Sequence, residues 1–282
     1  MDEFKNIYTK IEMLTEGSTT YITKEEKTVR VAVAVNETVP VYVLESLVYD
    51  KEKEVRMALA KNPKSSAIVL NILASDEENT IRFRVSGNSK APASALEILA
   101  RDRETKIIRK VVDHPHTSAK ILANLAKSKD GEVRYRISVN PRTLPITLSE
   151  LSKDRYPRVR KAVARNINTL GITLAEMAKD KEIEVRNIVA GNAKTPGEAL
   201  SYMYKKDNVY TGLIVGNKNC PTEILAKVAK NPDTYFFTKE SIIRNSSTPF
   251  SVLKIFMKDK NLEIQDMAEK MFRKKIAKEI TL

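Results

Sequence analysis

The apolar and polar positions of this chain recur in blocks of 26 residues rather than with a single helical period. Val29-Arg30, Val55-Arg56, Ile81-Arg82, Val133-Arg134, Val159-Arg160 and Val185-Arg186 all fall in one frame. The remaining slot holds Ile107-Ile108, with Arg109 beside it. Six residues after each arginine stands an asparagine, Asn36, Asn62, Asn88, Asn140, Asn166 and Asn192, with His114 in the odd block. The frame then slips by a residue or two and continues at Asn217 and Asn245. Eight residues beyond these nine positions comes a leucine, from Leu44 and Leu70 through to Leu225 and Leu253. Self-similarity at such a period marks a stack of small supersecondary units, none of which buries its apolar face alone.

Each block predicts two helices. Apolar residues directly before the arginine and three after it (Val55 and Leu59, Ile81 and Val85, Val133 and Ile137) share one helix face. The asparagine that follows suits a left-handed C-cap, and Pro63, Pro115 and Pro141 forbid continuation. A second helix is predicted from Ala91-Pro92, Thr195-Pro196 and Thr248-Pro249. It buries pairs such as Leu96/Leu99, Leu122/Leu125 and Leu174/Met177, and ends near Asp50, Asp76, Asp102, Asp154 or Asp180. Helices of roughly ten residues are marginal alone and must stack. The expected fold is all-α, a solenoid of about nine 26-residue two-helix repeats over residues 29–257. Capping helices are expected in 1–28 and, strongly basic, in 258–282.

The motif Asp-x4-Val-Arg, as in Asp50…Val55-Arg56 and Asp180…Val185-Arg186, resembles HEAT repeats. The fuller pattern, Val-Arg-x-Ala-x-Ala-x-Asn-Pro and then Leu-x2-Leu-Ala-x-Asp, is similar to the leucine-rich repeat variant. That resemblance implies an α-helix and a shorter 3₁₀-type helix per unit, wound into a right-handed superhelix. The unit here is slightly longer, which gives the second helix room to be fully α. The family's founding member carries an N-terminal cysteine cluster for an iron–sulfur group. This chain has no cysteine before Cys220, so no cofactor carries over.

Positions shared by every unit answer the stacking problem. Asp76 and Arg82, Asp154 and Arg160, and Asp180 and Arg186 stand six residues apart and are expected to form a charged ladder that fixes register. The row Asn62, Asn88, Asn140, Asn166 and Asn192 is expected to bond backbone, because a residue repeated in every unit encodes no sequence. Variation is more informative. Two residues after the arginine slot, Ala32, Ala58, Ala162 and Ile188 give way to Arg84, Lys110 and Arg136. The preceding position holds Phe83, Arg109, Tyr135 and Lys161. These seven residues are expected to form a ridge across neighbouring helices about 10 Å apart. Basic side chains among aromatics suit an acidic partner or a phosphate backbone with stackable bases. Arg101, Arg103, Lys127, Lys129, Arg155 and Arg158 add charge on adjacent loops. The competing expectation is a solvated face shielding the core. Nine of the seventeen Phe and Tyr lie from Tyr202 onward, including Tyr204, Tyr210 and Tyr235-Phe236-Phe237, where the frame slips. Core-filling and a partner-binding hot spot both account for them.

Charge and composition narrow the function. The 282 residues carry 49 Lys+Arg against 36 Asp+Glu, a net +13. Residues 1–54 hold seven bases and eleven acids, so the basic excess belongs to the repeats. No apolar stretch approaches the ~20 residues that span a bilayer, and the acidic N-terminus is unlike a signal peptide; a cytoplasmic location without membrane contact is expected. One cysteine excludes a disulfide framework. Cys220 precedes Pro221 at a helix start, where a thiolate is mildly favoured, but no partner base stands near it in sequence. His114-Pro115-His116, after Asp113, lacks further ligands and is expected to be structural rather than a metal site. No nucleophile–base pair or glycine-rich phosphate loop is present. A non-enzymatic scaffold for an acidic protein or peptide is the expected function, with no cofactor and no small-molecule substrate. The alternative is nucleic-acid binding by the same ridge. A HEAT-like DNA glycosylase ranks last, since those enzymes use tryptophans and a catalytic carboxylate, and this chain has no Trp.

Overall fold

The computed structural model describes residues 26–280, apart from the side chain of Asn208. The capping helix expected near residues 2–15 lies outside them. Two lengths of helix alternate along the chain. Nine-residue helices such as Lys53–Lys61, Thr105–Asp113 and Pro157–Arg165 are followed by seven-residue helices such as Ala67–Leu73, Ala119–Leu125 and Gly171–Met177. The short helices are α-helical. Pro92, Pro196 and Pro249 sit at their N-caps, one residue earlier than the first-turn position expected for them. Every regular element among the described residues is a helix. The chain is an all-α stack of two-helix repeats.

Two compact units divide it, Met1–Thr143 and Leu144–Leu282. In the first, each long helix packs on the next: Lys27–Val35 on Lys53–Lys61, that on Asn79–Ser86, then Thr105–Asp113 and Gly131–Val139. The short helices Val41–Ser46, Ala67–Leu73 and Ala93–Leu99 form a parallel row. Leu59, Leu70, Leu73, Ile81, Leu96 and Leu99 are buried between the rows, so each unit completes its neighbour's core.

The asparagine row corrects the left-handed cap expected of it. Asn62 has φ −66° and ψ 122°, and no non-glycine residue among those described has a positive φ. Its side chain turns the chain instead. Asn62 Oδ1 accepts from the Lys64 N–H at 2.8 Å, while Nδ2 donates to Ala34 O at 2.9 Å and Asn36 O at 3.2 Å in the preceding repeat. Asn88 does the same to Ala60 O and Asn62 O, and Asn140 donates to Val112 O.

His114 occupies this row with one ring. Its Nε2 lies 2.9 Å from Asn88 O, and Nδ1 accepts from the His116 N–H at 3.1 Å, which requires the neutral Nε2–H tautomer. Burial pushes its pKa down, the Asn88 carbonyl opposing that shift. The unfolded chain binds a proton near pH ~6.5 that the folded chain resists, so stability falls as pH drops below that value. His114→Asn is expected to flatten this slope, read as urea midpoints at about pH 7.5 and about pH 5.

In the second unit, Asn192 donates to Ala164 O, Asn217 to Ala190 O and Asn192 O, and Asn245 to Val215 O and Asn217 O. The frame slip changes the helices themselves. Gly197–Lys206 runs ten residues, a 3₁₀ turn covers Asn208–Tyr210, and Thr211–Gly216 has only six. The basic helix Leu262–Ile280 packs on Phe236–Arg244 and Phe250–Phe256, burying Ile264 and Ala268. Lys275 Nζ ties it to the loop carbonyls of Ser246 and Thr248 at 3.0 and 2.5 Å.

Candidate partner-binding surface

The arginine row organises the stack before any partner can use it. Arg56 holds one carboxylate side-on, Nε to Asp76 Oδ2 at 2.7 Å and Nη2 to Oδ1 at 3.3 Å, while Nη1 donates to Asp50 O at 2.8 Å. Arg82 with Asp102 and Arg160 with Asp180 repeat all three bonds, and Arg30 with Asp50 repeats the bidentate pair. The carboxylate therefore lies 20 residues after its arginine. The aspartate six residues before the arginine, Asp76 for Arg82 or Asp154 for Arg160, gives only its backbone carbonyl. Burial pushes the Asp102 and Asp180 carboxyls up, but the guanidinium and a backbone N–H two residues on outweigh it and hold both below the usual range.

Most of the ridge cations are also committed. Arg109 pairs with Asp130 at 2.6 Å, in the one repeat whose arginine slot holds Ile108. Arg136 bonds Asp113 and forms an ion pair with Glu132 at 3.1 Å. In the second unit Lys161 bonds Glu184. Lys110 Nζ stands 5.7 Å over the Phe83 ring, Tyr135 is half-buried, and Arg84 is exposed. The acids that neutralise this ridge stand 21 to 23 residues from their cations, or one helical turn away. That signal was present in the sequence but invisible while acids were counted as repeat residues.

The aromatic cluster divides. Tyr210 and Phe256 are core, each 1% exposed, whereas Tyr235 is 82% and Phe237 76% exposed. Tyr235 borders a cavity of ≈ 460 Å³ that Tyr204, Lys227 and Asp233 also line. Lys179 stands over Tyr202 at 5.5 Å and Lys227 over Tyr204 at 5.6 Å, so the rings are topped by cations. Lys205, Lys206 and Lys230 are exposed beside them. Cys220 is 3% exposed and its thiol is pushed up to about 12 by burial, with Glu223 adding to the effect. This reverses the mild thiolate preference expected at a helix start. The rings of His114 and His116 both face backbone carbonyls, of Asn88 and Ala91.

No protein-family model matches the chain, and no curated protein matches it. Among solved structures it is similar to one described as a leucine-rich repeat variant with a novel repetitive protein structural motif. That likeness has 18% identity and a TM-score of 0.53, and covers 79% of this chain and 88% of that one. The chain has the fold of the leucine-rich repeat variant. An engineered protein (14% identity, TM-score 0.39, covering 95% and 98%) is a more distant likeness. So is a designed armadillo repeat protein in complex with the peptide (KR)4 (13% identity, TM-score 0.15, covering 88% and 99%). Both differ too far in shape to bear on this chain. Within the leucine-rich repeat variant fold, positions shared by the repeats are occupied in stacking. No helix among the described residues is long and apolar enough to cross a membrane.

Proposed function

We propose that the chain is a non-enzymatic helical-repeat scaffold that binds an acidic, apolar-bearing segment of another protein at the frame slip of its second unit. The observation that carries this reading is the exposure of Tyr235, at the edge of a ≈ 460 Å³ cavity, and of Phe237 two residues on. Exposed aromatic side chains beside a cavity are the usual anchors of an interface, and exposed lysines at 205, 206, 227 and 230 supply the complementary charge. An aromatic pair takes apolar side chains, and the lysines select acids around them. A phosphate backbone asks for a continuous row of uncommitted cations. In the ridge, Arg109, Arg136 and Lys161 already serve acids.

Peptides selected from a random displayed library are expected to combine Asp or Glu with a bulky apolar residue. Tyr235→Ala with Phe237→Ala is expected to weaken them about 100-fold, with helical content unchanged by circular dichroism. Arg84→Glu with Arg136→Glu tests the ridge in the same titration, and unchanged affinity there removes it as the binding surface. A selection without acidic bias, or an unaffected aromatic variant, refutes the proposal. Salt-dependent retention on duplex DNA, lost in the ridge variant, assigns the function to nucleic acid instead.

A further inference from the structure

Arg186 departs from the pattern its neighbours set. In Arg30, Arg56, Arg82 and Arg160, Nε and Nη2 together hold one carboxylate at 2.6 to 3.3 Å. The residue 20 positions after Arg186 is the exposed Lys206, and the aspartate has moved one place on, to Asp207. Asp207 caps the Val209 N–H at 3.0 Å, and no carboxylate among the described residues forms an ion pair with Arg186. The nearest ladder acid, Asp180, is held by Arg160 at 2.7 and 2.9 Å. Tyr210 reaches in, its hydroxyl accepting from Arg186 Nε at 2.6 Å, while Nη1 keeps the carbonyls of Asp180 and Lys181 at 2.5 and 3.0 Å. A phenol offers one oxygen where a carboxylate offers two, and Nη2 is left without an acceptor.

The vacancy is open. Arg186, Lys179, Lys206 and Tyr202 line a cavity of ≈ 230 Å³, and both lysines are exposed. Its guanidinium is held in place from behind by backbone carbonyls, as in the other repeats, so it needs no reorganisation to receive an anion. Two ammonium groups border it, and the only acids on the cavity wall are Asp180 and Asp207, both already bonded. We infer that this cavity takes the carboxylate of an acidic side chain from a partner peptide, which accepts from Nη2 beside the Tyr210 hydroxyl on Nε and supplies in trans the charge that a carboxylate supplies in cis in four other repeats. A carboxylate is the matching anion because the same backbone frame already holds one at Arg56, Arg82 and Arg160. The inference rests on the proposed binding of an acidic segment at the frame slip of the second unit and names its anchor.

The test uses fluorescein-labelled hexaglutamate at low salt, read by anisotropy. Arg186→Gln is expected to weaken binding at least about tenfold. Arg165→Gln, the same charge change at an exposed arginine of the second unit, is expected to stay within about twofold. Deleting Lys206 returns Asp207 to the 20-residue interval found elsewhere. It should weaken hexaglutamate as Arg186→Gln does, and raise Tm. Equal losses in the two arginine variants overturn the inference, as does a Lys206 deletion that binds like wild type. If Arg186→Gln does not fold, the deletion decides alone. The wider reading is separated by the selected peptides: affinity lost in Tyr235→Ala/Phe237→Ala but kept in Arg186→Gln refutes the anchor and leaves the surface standing.

Discussion

Arg82→Ala is expected to cost the first unit about 3–5 kcal/mol, measured by urea unfolding. The Arg82 and Asp102 side chains are only 9% and 4% exposed, so removing the cation strands a carboxylate that water barely reaches. Two backbone carbonyls, Asp76 O and Glu77 O, lose their donor in the same step. The loss should be local first. Amide exchange is expected to speed up most in Asn79–Ser86 and Ala93–Leu99, because repeats are stabilised by their immediate neighbours. Arg82→Met with Asp102→Leu removes the stranded charge and is expected to recover about half of the deficit. It recovers no more because the carbonyl bonds, and the Asp102 cap on the Glu104 N–H at 2.8 Å, stay lost.

The same variant carries a pH signature. Burial works against the Asp102 carboxylate, but Arg82 and the Glu104 N–H hold its pKa below the usual carboxylate range. A depressed folded pKa gives stability that is present above the unfolded value of ~3.9 and lost as pH falls through the folded one. The gap between wild type and Arg82→Ala should therefore be constant near neutrality and narrow in acid, beginning above about pH 4 because the stranded Asp102 carboxylate of the variant takes up its proton more readily than that of the unfolded chain. A gap that stays unchanged in acid would mean that Arg82 acts through its carbonyl bonds alone.

The repeat architecture was legible because stacking imposes one demand on every unit, and the chain answers it with the same residue types in the same frame. Pairing was less legible. Two aspartates flank Arg56, Arg82 and Arg160, one six residues before and one 20 after, and a period of 26 makes these the same row seen from neighbouring units. Sequence alone leaves open which oxygen each one offers. The structure divides the work between them, carbonyl from the near residue and carboxylate from the far one. The same ambiguity hid the vacancy at Arg186, although the 21-residue interval to Asp207 is plain once the far partner is known. Exposure at the frame slip was not legible at all. Tyr210 and Tyr235 are the same residue type in the same irregular stretch, and one is core while the other faces water. Only packing distinguishes them.

Asn88→Leu is expected to destabilise the first unit by about 2–5 kcal/mol, whereas Asn36→Leu in the same frame should cost under about 1 kcal/mol. Both asparagines turn the chain by accepting the N–H two residues on, from Lys90 and Thr38 at 3.0 and 2.8 Å. They differ in what lies behind them. Asn88 is 7% exposed, and its Nδ2 reaches Ala60 O at 3.0 Å and Asn62 O at 3.2 Å in the preceding repeat. Leucine at that site fills a similar volume but leaves two carbonyls without their donor, each worth about 1–3 kcal/mol once water is excluded. Asn36 is half-buried, and its bonds stay within its own loop, to the Thr38 N–H and hydroxyl. The turn bond alone is worth only about 1 kcal/mol there, since water can replace it. Equal urea midpoints for the two variants would mean that the asparagine acts as a turn residue in every unit. A large difference shows that the row holds repeat to repeat.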